Sequence, residues 1–273
     1  MAKTSRSSGS YGRWYEVSDN RRYPSVTTIL GVIAKPALVK WAANTERELV
    51  MDVAAQVYES LAGKVISKPS FEAAVNGRLG AARSHQIQMA HAASIGSLVH
   101  ARIEWEMRTQ LGLKGLKEPT VPEQEVGADG QVTEHPAHVA YQAYRKWREA
   151  HDVRPVAVEQ IVWSHKYGYA GTVDWVGYVA DQLTLADWKT AAGVYDEMRL
   201  QVAAYRQAWI EMGHGVPPLG GYLLRLPKTP NDTFEPHVIP WSEQDELFVV
   251  FRAARHLFVW QQEQYAKWKE RQA

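Results

Sequence analysis

The chain has 273 residues, 45% of them hydrophobic and 22% charged, which is enough apolar material for one large domain or a domain with a helical extension. Its formal net charge of +1 excludes a global basic field, so any nucleic-acid surface must be a local patch. Cysteine is absent, which excludes disulfides and any cysteine-ligated zinc or iron–sulfur centre. Residues 1–10 are serine-rich, carry Lys3 and Arg6, and read as a disordered tail. GRWYEV over 12–17 alternates like an edge strand. Ser25 is a candidate N-cap for a short helix, VTTILGVIA, stopped by Pro36. Two further helices are expected, from about Ala37 to Leu61 and over roughly 70–82. Arg21, Arg22, Lys35, Lys40, Arg78 and Arg83 in this region could line a groove that tracks a nucleic-acid strand, although cations on helices more often face solvent.

Residues 85–111 read as one long helix, with Gly96 and His100 four apart on one face. Residues 11–113 thus form a helical N-terminal region. Over 114–137, prolines, glycines and glutamates without periodicity read as a mobile loop. A helix from about Ala137 to Ala150 follows, rich in tyrosine and tryptophan. Eleven Trp and thirteen Tyr in all serve core packing on the plain reading and base stacking on the sharper one.

The most informative stretch is 159–205. Val156–Trp163 and the run ending in Gly171-Thr172-Val173-Asp174 are β-branched and aromatic, and QLTLADWKT follows a turn signal at Ala180-Asp181. Side chains two apart on a strand share a face, so Asp187 and Lys189 project together with Trp188 turned away. If Asp174 pairs beside Asp187, two carboxylates and an ammonium share one pocket, and the carboxylates repel unless a cation neutralises them. A hard divalent ion suits such oxygen ligands. Glu159, in the first strand, is either a further acidic ligand or a structural partner for a neighbouring cation. From Tyr195, helical spacing takes over and places Gln201 and Tyr205 on one face until Gly213. Strands over LGGYLLRL and Phe234–Ile239 and a helix over 242–269 begun by Ser242 complete the chain. Leu247, Val250, Ala254, Leu257 and Trp260 form the expected buried face of that helix.

The order Gly96-x-x-x-His100, Gly171-x-x-Asp174, Asp187-x-Lys189 and Gln201-x-x-x-Tyr205 resembles the RecB-like branch of the PD-(D/E)XK nucleases. Tyr23–Leu30 is similar to the opening segment of the mitochondrial genome maintenance exonuclease and related phage exonucleases. The resemblance implies an α/β fold, a restriction-endonuclease-like core of a small mixed sheet flanked by helices. That core spans 138–273 and packs with 85–111 as one domain. It implies a divalent-metal-dependent deoxyribonuclease, an exonuclease on single-stranded DNA ends serving replication, recombination or repair in the cytoplasm of a bacterial or phage-infected cell. The alternatives are a structure-selective endonuclease and a non-catalytic DNA-binding recombination partner. Asp174, Asp187 and Lys189 are the implied catalytic residues. His100, Asp174, Asp187 and the Trp188 backbone carbonyl are the implied ligands of Mg²⁺ or Mn²⁺. Glu159 and Glu104 stand behind them, Glu104 either orienting the imidazole or pairing on the surface. Gln201, Tyr205, Arg199 and Arg206 are the implied DNA contacts. No iron–sulfur cluster and no membrane are expected.

Overall fold

The computed structural model describes residues 5–9, 12–17, 20–65, 67–79, 84–127, 130–215 and 220–272. Arg83, Pro217 and Pro218 lie outside the described residues. The chain forms two compact units, one of residues 1–33 with 96–273 and one of residues 34–95. The boundaries fall between residues 33 and 34 and between residues 95 and 96, the second inside the long GxxxH helix, and the N-terminal strands belong with the C-terminal half.

Strands β1 (Ser5–Gly9), β2 (Gly12–Glu16) and β3 (Arg22–Pro24) form an antiparallel sheet, so a strand occupies much of the segment expected to be a tail. Ser25 then caps α1 (Val26–Leu30), its hydroxyl accepting from the Thr28 N–H at 2.9 Å. This helix is shorter than expected, because Gly31 caps it. The segment is tied to the main sheet by a bridge between Ser25 and Ala170 and by Tyr15 Oη to Thr172 Oγ1 at 2.8 Å.

The 34–95 unit holds α2 (Pro36–Ser60), α3 (Lys68–Leu79) and the start of α4 (Ser84–Gln110). Pro36 opens α2, where its missing N–H is harmless, rather than merely stopping α1. The unit's core is small: Val53, Val57 and Val75 with Leu49, Phe71 and Leu79 packed against them. Across 114–137 the chain is not purely loop, for β4 (Gln124–Val126) and β5 (Val132–Glu134) pair as a hairpin.

The main sheet contains β6 (Val153–Ser164), β7 (Tyr169–Val179), β8 (Gln182–Lys189), β9 (Gly221–Arg225) and β10 (Glu235–Ile239), in the order β10-β9-β8-β7-β6. The β7–β8 hairpin turns at Ala180 and Asp181, both with positive φ (47° and 64°), as a two-residue turn between right-twisted strands requires. The β8–β9 pair alone is parallel, so the chain must cross over, and α6 (Asp196–Glu211) makes that crossing.

Helix α5 (Pro136–Ala150) covers one side of the sheet. Trp147, fully buried, meets Trp175, Trp188 and Tyr222, and its indole N–H donates to Tyr222 Oη at 2.9 Å. A second buried cluster joins α1, α6, the strands and α7 (Trp241–Gln272). Helix α7 begins one residue before Ser242, which is therefore not its cap. Its buried face is Phe251, Ala254 and Phe258, whereas Val250, Leu257 and Trp260 are exposed. Leu247 and Ala254 of the expected face do pack with the cluster, and Phe248, Phe251 and Phe258 rather than Val250, Leu257 and Trp260 complete it.

Candidate active site

Trp175 pairs with Ala186, so one residue further on Asp174 and Asp187 stand at matching positions of β7 and β8. The ladder ends there, and the Trp188 N–H turns instead to Asp174 Oδ2 at 2.9 Å. Period-two alternation sends Trp188 into the α5 aromatic cluster and Asp187 and Lys189 to the α6 side. Asp187 is 1% exposed. Its Oδ1 accepts from Gln201 Nε2 at 2.9 Å. Its Oδ2 lies 2.5 Å from Lys189 Nζ as an ion pair. Lys189 Nζ donates to Gln201 Oε1 at 3.1 Å, so one amide grips both members of the pair. Gln201 Nε2 also lies 3.1 Å from Tyr205 Oη.

Burial pushes the Asp187 carboxyl up to about 6. Lys189 opposes that shift and the charge of Asp174 adds to it. Burial alone would lower the Lys189 ammonium, but Asp187 and Asp174 outweigh it and hold the group above its ordinary value. Burial, then the charge of Asp187, raises Tyr205 well above the usual phenol range, which keeps it neutral.

His100 arrives from α4. Nε2 lies 3.0 Å from the Trp188 carbonyl oxygen and Nδ1 3.4 Å from Asp174 Oδ2. Gly96, one turn earlier, explains the approach: a Cβ there would come to 3.0 Å of Thr190 Oγ1, just past Lys189. Thr190 was not singled out by the sequence reading, since a hydroxyl after a D-x-K strand carries no pattern of its own. Glu159 completes the cluster. One ligand atom each from His100, Glu159 and Asp174 lie within 4.8 Å of one another. Glu159 sits opposite Asp174 in the β6–β7 register and holds φ at +49°, a conformation costly for a residue with a Cβ. Nothing in its neighbours' composition betrays that backbone state.

Glu104, Arg199 and Arg206 separate from this group. Glu104 pairs with Arg108, one turn along α4. Arg199 is paired with Glu243 and Asp196. Arg206 is 3% exposed, with its guanidinium 3.4 Å from the Trp241 ring centroid, so it does not face a phosphate in solvent. Gln201 and Tyr205 are likewise buried, and they hold the Asp187–Lys189 pair.

The donor set of imidazole nitrogen, carboxylate oxygens and a backbone carbonyl fits a hard divalent cation. Two observations bear on this. Ligand atoms of His100, Glu159 and Asp174 cluster within 4.8 Å, while Asp187 Oδ2 lies against the Lys189 ammonium. Both nitrogens of His100 face oxygens, and a neutral ring can donate to only one of them. A mixed sheet thus brings paired carboxylates, a lysine and a helix-borne histidine to one strand end. A family model described as the PD-(D/E)XK nuclease superfamily matches residues 68–272, more than half of the chain, and the chain belongs to that superfamily. No curated protein matches the chain.

Proposed function

We propose that the chain is a deoxyribonuclease that hydrolyses phosphodiester bonds from the ends of single-stranded DNA. Asp174, Asp187, His100 and the Trp188 carbonyl would hold Mg²⁺ or Mn²⁺, with Glu159 as a further ligand. A bound ion supplies positive charge against the negative charge that builds on the phosphoryl oxygens. Lys189, fixed between Asp187 Oδ2 and Gln201 Oε1, orients the attacking water and stabilises that same charge. Gln201 keeps the carboxylate and ammonium in register, and neutral Tyr205 backs the amide. One observation carries the reading: His100, 74 residues before Asp174, lies against Asp174 and the Trp188 carbonyl, in the same cluster as Glu159.

The family supports nuclease chemistry, and the Tyr23–Leu30 segment supports end-dependence through its likeness to exonucleases. Asp187→Ala and Lys189→Ala are expected to lower the cleavage rate by about a hundredfold or more with circular dichroism unchanged. Full activity in either purified variant overturns the assignment. Closed circular single-stranded DNA decides the mode. It resists an end-dependent enzyme, and its rapid cutting in Mg²⁺ makes the protein an endonuclease.

A further inference from the structure

We propose that the β6–β7 turn, with Tyr23 of β3 and the middle of α7, is a landing surface for single-stranded DNA remote from the carboxylates. The inference rests on the nuclease reading above and adds where the substrate strand runs.

The turn spans His165 to Gly168, and cations and rings converge on it. Tyr167 carries Lys166 Nζ and Arg252 Cζ, each 5.1 Å from its ring centroid, and meets Phe248 edge-on at 5.0 Å. A Cβ on Gly168 would lie 2.9 Å from Arg255 Nη2 and 3.7 Å from the Tyr23 ring, so these two groups flank the turn directly. His165 is pinned between two rings. The Trp163 indole N–H donates to its Nε2 at 3.0 Å, which leaves Nδ1 to donate to Tyr23 Oη at 2.9 Å. The rings are thus held in place before any ligand arrives, which limits the ordering cost of binding.

Three cations of this patch differ from several other arginines of the chain in having, among the described residues, no carboxylate in an ion pair with them. Arg102, Arg154, Arg199 and Arg225 each pair with a carboxylate. Among the described residues, no carboxylate pairs with Lys166, Arg252 or Arg255, and Arg255 Nε is buried without a hydrogen bond. One carboxylate borders the patch: Glu211 accepts from Ser164 Oγ and Gln207, and Ser164 Oγ accepts in turn from the Tyr167 N–H. In a chain of net charge +1 this is a local concentration of positive charge. A polyanion relieves its repulsion, and half-buried rings offer faces on which unpaired bases stack. A duplex hides those base faces, so the chemistry favours a single strand.

From Gly168 to Asp174 is six residues of extended chain, about 20 Å. That equals about six stacked nucleotides at ~3.4 Å each. The surface therefore acts only on strands long enough to reach it from the scissile phosphate.

The test uses the full chain with chelator and fluorescently labelled oligothymidylates of increasing length, read by anisotropy. Affinity is expected to rise once length passes about six nucleotides. Lys166→Glu with Arg252→Glu, both exposed positions, is expected to weaken binding of a 20-mer tenfold or more. It should lower the slope of log affinity against log salt by about 1.4, at ~0.7 for each lost contact. Lys166→Gln with Arg252→Gln should show the same effects in smaller measure. In Mg²⁺ the charge-reversed variant should cleave a five-nucleotide substrate at the wild-type rate and show a raised KM for the 20-mer. Unchanged 20-mer affinity and salt slope overturn the proposal, and so does an equal loss on a duplex of the same length. A wild-type chain that shows the length and charge dependence but cleaves nothing with any divalent metal sinks the nuclease reading and keeps the surface.

Discussion

Asp187 holds a conflict that sets its behaviour with pH. Its carboxyl, raised from 3.8 to about 6, binds more protons in the folded chain than in the unfolded one between those values. For this group alone, stability without metal therefore falls as pH rises through that window. A divalent ion acts in the opposite sense, because it competes with the proton and binds the ionised form. The gain in thermal midpoint on adding Mn²⁺ is expected to be large at pH 8 and to shrink towards pH 5, by up to tenfold in apparent affinity per pH unit below 6. Asp187→Asn should flatten that profile, and a gain independent of pH in the wild type counts against metal binding at Asp187. Gly171 makes a second residue-scale test, since a Cβ there would sit 2.3 Å from the Tyr205 ring. Gly171→Ala should cost about 1–3 kcal/mol in urea unfolding, and Tyr205→Leu in the same chain should recover part of it. Period two on a strand made the Asp187–Lys189 partnership legible in the sequence. The Gln201 amide that grips both was legible only as a helix-face neighbour of Tyr205, because its target lies on another element. The burial of Arg206 was not legible for a related reason: its cover, Trp241, is 35 residues away and follows no spacing rule.

At the scale of elements, the helices and strands with strong periodicity were legible nearly to their ends. The expected 85–111 helix is Ser84–Gln110, and Val156–Trp163 lies within Val153–Ser164. What escaped was set by partners distant in sequence. β1 is a serine-rich strand held by backbone pairing with β2, and β4 and β5 are three-residue strands too short to show alternation. In α7 only packing chose Phe248, Phe251 and Phe258 over Val250, Leu257 and Trp260 to complete the buried face. The α5 cluster gives the matching prediction. Trp147→Ala removes a fully buried ring that touches Trp175, Trp188 and Tyr222, and should cost about 3–5 kcal/mol by denaturant titration. Because Trp188 supplies the carbonyl near His100, the same variant should also weaken metal binding.

For the molecule as a whole, the two compact units differ in what holds each together. The 34–95 unit has a small valine-centred core, while the other contains both the sheet and its clusters. Trp41 is the one tryptophan of the smaller unit, so indole fluorescence reports mainly on the larger. In urea, far-UV circular dichroism is expected to begin falling before tryptophan fluorescence changes, and coincident curves would show a single cooperative transition. Composition alone gave little hint of this division, because one of its two boundaries, at residues 95 and 96, lies inside one continuous helix, α4.

Glu159 carries a last consequence. A residue with a Cβ in a left-handed backbone state costs folding about 1–3 kcal/mol. Glycine or asparagine at that position relaxes the backbone. A laboratory selection for heat resistance alone would therefore be drawn to Glu159→Gly. On the proposed reading it would return a tougher protein with a disabled catalyst.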